Sequence, residues 1–181
     1  MNIILTITAI FGIQMTDITD FGLACGTVMA VHETGHAIYC EHKGYNSEPK
    51  VMYKGHVMYI KINEPLPKET WKEFSLSGEA GSFILFETMF PFYRKNPTFY
   101  KKSILYVANY HFLVYSIYSL NFDSEDVGND PVRLEKSCGL NKYEIMLLFS
   151  LKCGINQWRM NSATNMSIFL WPNGVKFTYK F

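Results

Sequence analysis

Apolar positions run in long blocks broken by cap and turn signals, and the pattern is mostly helical. FGLACGTVMAV opens a helix predicted from about Phe21 to Lys43. Asp20 is placed to cap its start, His42 and Lys43 sit in its last turn, and Gly44 is a natural stop. VMYKGHVMYIKI, residues 51–62, is rich in Val, Ile and Tyr around Lys54-Gly55 and predicts a hairpin or two short strands. A helix is expected to begin near Pro67. Ser77-Gly78 either breaks it or packs it closely, and Pro91 ends it. Asn96-Pro97 pairs a cap with a proline and starts a long helix to about Leu120. Residues 103–120 carry no formal charge, yet Ser103, Asn109, His111, Ser116 and Ser119 mark a central core helix, not a membrane span. Asp130-Pro131 repeats the start signal, and Gly139 closes a short helix. Asn141 and Glu144 form a capping box for a helix to about Met160. The tail SIFLWPNGVKFTYKF predicts a hairpin around Pro172-Asn173-Gly174. The class is mainly α (α+β), one domain over residues 1–181, with a short β segment after the first helix and a C-terminal β-hairpin.

Composition narrows the function. Of 181 residues, 48% are apolar, 18% charged and 16% aromatic, with a net charge of +1. Such a chain buries a sizeable core, which excludes global disorder, and it lacks the basic excess of a phosphate-reading nucleic-acid binder. Low charge leaves contact with a membrane or a protein partner open. Cys25, Cys40, Cys138 and Cys153 form no C-x-x-C pair, so free, buried thiols are expected in place of a zinc ribbon or redox motif. MNIILTITAIFGIQM resembles the middle of a signal peptide. No Lys or Arg precedes it and no clear cleavage site follows, so a first strand or buried helix fits as well.

His32-Glu33-Thr34-Gly35-His36 is an H-E-x-x-H motif inside the first predicted helix. Positions i and i+4 share one helix face, so both imidazoles reach one ion. Neutral imidazole binds zinc at about 2.0–2.1 Å, and the ion lowers the pKa of a bound water to about 7. Glu33 follows the first histidine and is the expected general base, taking a proton from that water and passing it to a leaving amine. A surface helix with accidental histidines is the bland alternative. The apolar run upstream argues against it, because unpaired polar groups on a buried helix cost several kcal/mol. Gly35 lets another element approach the metal helix.

A catalytic zinc takes three protein ligands and keeps one open position. Cys40 lies on the same stripe but about 12 Å along the axis from His32, so it reads as a buried thiol under the site. Glu79 in SLSGEAGSF and Asp130 in DVGNDPVRL are the candidates for the third ligand, with Asp123, Glu125 and Asp126 behind them. Asp130 also reads as a helix cap ahead of Pro131, a role compatible with ligation.

VMAVHETGHAIYCEHKGY resembles the H-E-A-G-H-A helix of FtsH-type zinc proteases. VMYKGHVMYIKI matches the short β segment that follows it in those proteins. Ser77-Gly78-Glu79-Ala80-Gly81 is loosely similar to their G-G-R-x-A-E-E helix, with Ser82-Phe83 in place of the acidic pair. Val127-Gly128-Asn129-Asp130-Pro131 resembles the G-A-S-N-D-L stretch that supplies their third ligand. The resemblance spans about residues 22–140. It implies Asp130 as ligand and puts Glu79 where the family has Arg. No G-x-x-x-x-G-K-[ST] loop accompanies it, so it implies a zincin-type metallopeptidase relative and not an FtsH orthologue. In zincins an edge strand beside the metal helix binds peptide by backbone pairing, a role that falls on residues 56–62 here.

His111 reads as a satisfied core histidine, or else as a group supporting the site or donating to the transition state; His56 reads as an exposed strand residue, with a cleft-facing position as the alternative. Tyr106, Tyr110, Tyr115 and Tyr118 read mainly as core, and Asn165-Met166-Ser167 matches a glycosylation acceptor. The leading expectation is a zinc metallopeptidase with Zn2+ held by His32, His36 and Asp130, acting on a peptide or protein substrate. The second is a non-catalytic, zinc-stabilised binding or structural protein, membrane-associated or not, whose metal shell is closed by a fourth ligand such as Cys40 or Glu79. An intramembrane protease would need several long uncharged spans.

Overall fold

The computed structural model describes residues 15–53, 56–120, 130–163, 166–171 and 174–179. Among these described residues, five α-helices and two separate antiparallel strand pairs follow in the order α1 (Met15–Lys43), β1 (Ser47–Tyr53), β2 (His56–Ile62), α2 (Trp71–Lys95), α3 (Phe99–Ser119), α4 (Asp130–Cys138), α5 (Lys142–Ala163), β3 (Met166–Trp171) and β4 (Gly174–Tyr179). The chain is therefore mainly α with short β segments, as its periodicity predicts. Residues 1–14, Asp123, Glu125, Asp126, Asn165 and the His56 side chain lie outside the described residues.

Helix α3 is central. Ile104, Leu105 and Ala108 are fully buried and join Ala24 and Val28 of α1, Phe86 and Tyr93 of α2 and Met160 of α5 in one apolar cluster. Lower down, Phe112 packs with Leu134 of α4 and Ile145 of α5. Asn109, buried in the middle of α3, is satisfied from α5. Its Nδ2 donates to the Cys153 carbonyl at 3.2 Å, and its Oδ1 accepts from Asn156 at 3.0 Å. A buried amide left without these partners would cost 1–3 kcal/mol, in round terms about 2. All four cysteines are free; Cys40 and Cys153 are buried, Cys25 and Cys138 half-buried. Among the described residues no helix is long and apolar enough to cross a membrane.

Three boundaries differ from expectation. Helix α1 is already formed at Met15, so Asp20 lies inside it and does not cap it. The stretch Thr16–Thr19 contains no breaker, and Asp17 suits a helix start electrostatically. Burial on α1 is also narrower than its composition suggests: Phe21 and Leu23 are exposed. The buried side chains, Ala24, Val28, His32, His36 and Cys40, recur every four residues. Pro91 does not end α2, which continues to Lys95. The lost N–H bond is outweighed by Tyr93, which the extra turn carries into the core. Asn96 closes α2, donating its N–H to the Phe92 carbonyl at 3.1 Å. Thr98, not Asn96, caps α3, its hydroxyl accepting from the Lys101 N–H at 3.3 Å. By contrast, the Asn141–Glu144 box forms as expected, with Asn141 Oδ1 accepting from the Tyr143 and Glu144 amides and Glu144 returning a bond to the Asn141 N–H.

Candidate metal centre

Helix spacing delivers the site. His32 and His36 stand one turn apart on the buried stripe of α1, and Asp130 meets them as the first residue of α4. His32 Nε2 is 3.1 Å from His36 Nε2. Asp130 Oδ2 is 3.2 Å from the first ring nitrogen and 3.0 Å from the second. All three residues are buried, at 8%, 3% and 5% exposure, so water does not screen them.

The tautomers give this triangle the donors that a cation would need. His36 Nδ1 lies 2.9 Å from the Phe74 carbonyl, an acceptor only, so Nδ1 carries the proton and a neutral ring presents a lone pair at Nε2. His32 Nδ1 faces Ser82 Oγ at 3.5 Å and His111 Nε2 at 3.3 Å, both able to accept its proton. Two nitrogen lone pairs and a carboxylate oxygen then converge, an arrangement that repels itself unless a proton or a metal ion sits among them. Ligands at about 2.0–2.1 Å in a tetrahedron stand roughly 3.3 Å apart, close to the observed edges. Two imidazoles and one carboxylate are a donor set that suits zinc.

Burial alone would lower the His32 pKa, but the Asp130 carboxylate reverses this and raises it. Burial likewise works to raise Asp130, yet the two rings hold its carboxyl well below the usual range. The acid is thus an anion ready for a cation. Its second oxygen, Oδ1, lies 3.5 Å from Arg133 Nη1. The Arg133 guanidinium sits 4.9 Å over the Phe74 ring, which stacks on His36 with centroids 4.2 Å apart. This stack fixes the plane of the second histidine.

Close helix approach makes room for the triangle. A β-carbon on Gly78 of α2 would lie 2.6 Å from Nε2 of both histidines. One on Gly35 would lie 2.2 Å from the Ser77 carbonyl oxygen, and one on Gly81 2.7 Å from that of Val31. Ser77-Gly78 therefore packs α2 tightly on α1 without breaking it.

Glu33 points to the hairpin. Its Oε2 accepts the Ile60 N–H of β2 at 2.8 Å. Ile60 stands opposite Pro49 of β1, and its N–H goes to Glu33, as at a non-hydrogen-bonded pair of an antiparallel ladder, where a proline costs no ladder bond. Burial raises the Glu33 pKa, with His36 and His32 pulling against it.

Glu79 does not join the triangle. It lies behind His32, paired with Lys152 of α5 and 3.5 Å from His111 Nε2. Burial pushes its carboxyl up despite Lys152. The same burial lowers His111 to about 3, with His32 and Lys152 adding to the effect, so that ring stays neutral. Cys40 is fully buried one turn beyond His36, away from the three donors. Tyr106 and Tyr110 are half-buried and direct their hydroxyls to Gln157 of α5, and Tyr118 is exposed. The series is thus less a core than expected, because its outer edge meets solvent. Phe74, Ser82, Arg133 and Lys152 escape a motif-based reading, since each acts through a contact made only by tertiary packing. Comparison with protein-family models, curated proteins and solved structures finds no match.

Proposed function

We propose that this chain is a zincin-type zinc metallopeptidase that hydrolyses peptide bonds. The observation that carries the reading is the convergence of His32 Nε2, His36 Nε2 and Asp130 Oδ2 at 3.0–3.2 Å, with both imidazole Nδ1 atoms next to acceptors. These three residues would hold the ion. When bound, zinc supplies Lewis acidity, polarising a carbonyl and acidifying a water. Among the described residues no fourth His, Cys, Asp or Glu joins the three, which leaves a coordination position for substrate chemistry.

Glu33 is the general base. It follows His32 directly, and its raised proton affinity brings it nearer the operating pH, where a base both accepts and releases a proton well. It removes a proton from the attacking water and hands it to the amine that leaves. The Ile60 amide orients its carboxylate. The side of β2 turned from β1 offers backbone groups to an extended peptide, which would bind as a further strand.

Glu33→Gln is the test. It is expected to retain zinc and to lose about 10²–10⁴-fold in hydrolysis of a generic fluorogenic peptide library. Unchanged hydrolysis overturns the assignment. A zinc-loaded wild type without hydrolysis favours the binding-module reading instead.

A further inference from the structure

Helix α5 carries a second feature, independent of the metal reading. Every exposed position between Glu144 and Ser162 is apolar or glycine. Leu147, Leu148, Leu151, Ile155 and Trp158 are 58%, 53%, 57%, 60% and 69% exposed. They recur at three- and four-residue steps and so form one stripe along the helix. Together they present about 600 Å² of apolar side chain, the upper limit of what a lone monomer usually shows.

From this stripe we infer that the chain forms a symmetric homodimer through α5, packed antiparallel about a two-fold axis at Leu151. Pairing two such faces removes about 1,200 Å² from water, which reaches the lower bound of a stable interface. Shape agrees with the symmetry. Reflection about position 151 sets Gly154 opposite Leu148 of the second copy and Ile155 opposite its Leu147. A β-carbon at Gly154 would meet nothing within 4 Å, so the space above this glycine is open to an incoming leucine. No charge lies on the stripe to repel its symmetry mate.

A membrane surface fits less well. Helices that lie on bilayers keep free Lys and Arg beside the apolar face. The cations flanking this one are engaged: Lys152 pairs with Glu79, and Arg159 grips Glu87 through two bonds of 2.6 and 2.8 Å.

Sedimentation equilibrium of the full chain over micromolar concentrations decides the matter. The wild type is expected to be dimeric. Leu151→Glu, which sets two carboxylates against each other across the axis, is expected to weaken the dimer at least about 30-fold, the loss of an interface hot spot. Ile38→Glu, on exposed α1 surface, is expected to leave it unchanged. Leu151→Cys is expected to oxidise to a covalent dimer that the wild type, with its own four cysteines, does not form. A monomeric wild type, a Leu151→Glu dimer as tight as the wild type, or a monomer that binds phosphatidylserine vesicles through this stripe overturns the proposal.

Discussion

His111 Nε2 lies 3.3 Å from Nδ1 of His32, so a ring from the middle of α3 sits directly behind a histidine of α1 that we propose as a metal ligand. The two rings meet edge to face, with centroids 5.1 Å apart. An acceptor in that position fixes which nitrogen of His32 carries the proton. Such supports are worth about 10–100-fold in metal affinity. His111→Phe, which keeps an aromatic ring and removes the acceptor, is expected to weaken zinc binding by that factor. His111→Gln, which restores an acceptor, is expected to lose less. Competition with a chelating dye measures both.

Gly78 tests the space between the proposed ligands without altering any of them. A methyl group there would lie 2.6 Å from both Nε2 atoms, where an ion has to fit. Gly78→Ala is expected to abolish stoichiometric zinc while the far-UV circular dichroism stays helical. Zinc retained at wild-type stoichiometry would show that α2 stands farther from the triangle.

Lys152 and Glu79 form a pair in which the carboxylate side chain is only 9% exposed. Removing the ammonium leaves a buried acid without its counter-charge. Lys152→Met is expected to destabilise the fold by about 3 kcal/mol near neutral pH. The double variant Lys152→Met/Glu79→Gln is expected to recover most of that loss. Urea denaturation of the wild type, Lys152→Met, Glu79→Gln and the double variant closes the cycle.

Arg159 and Glu87 tie α5 to α2, and this pair sets a pH dependence. The hydrogen bond from Arg159 lowers the Glu87 pKa from its ordinary 4.5. A lowered folded-state pKa stabilises the protein above that ordinary value, and the contribution fades as pH falls through the lowered one. The difference in urea midpoint between wild type and Glu87→Gln is therefore expected to be present at pH 7. It should shrink toward zero as the pH drops well below 4.5.

The elements were largely legible in the sequence because their signals are local. Gly44 and Gly139 end helices with φ of 79° and 71°, values that glycine adopts without strain. Asn141 and Glu144 close their box within one turn. Pro91 misleads because a single missing N–H competes with the burial of Tyr93, a tertiary gain invisible from the local pattern. Asn96-Pro97 misleads for a related reason: a better cap, Thr98, follows. At the site, the spacing of His32 and His36 writes their convergence into the sequence. The meeting with Asp130 does not follow from local rules, because 94 residues separate it from His36 and packing alone unites them. Lys152 left no signal at all, since an isolated lysine on an amphipathic helix reads as solvated surface.

X-ray absorption at the zinc edge of the loaded wild-type chain tests the central claim most directly. Two imidazole nitrogens and oxygen scatterers at about 2.0–2.1 Å are expected, with zinc lost in Asp130→Ala. Sulfur in the shell, a single imidazole, or full zinc in the Asp130→Ala protein would contradict a centre built from His32, His36 and Asp130.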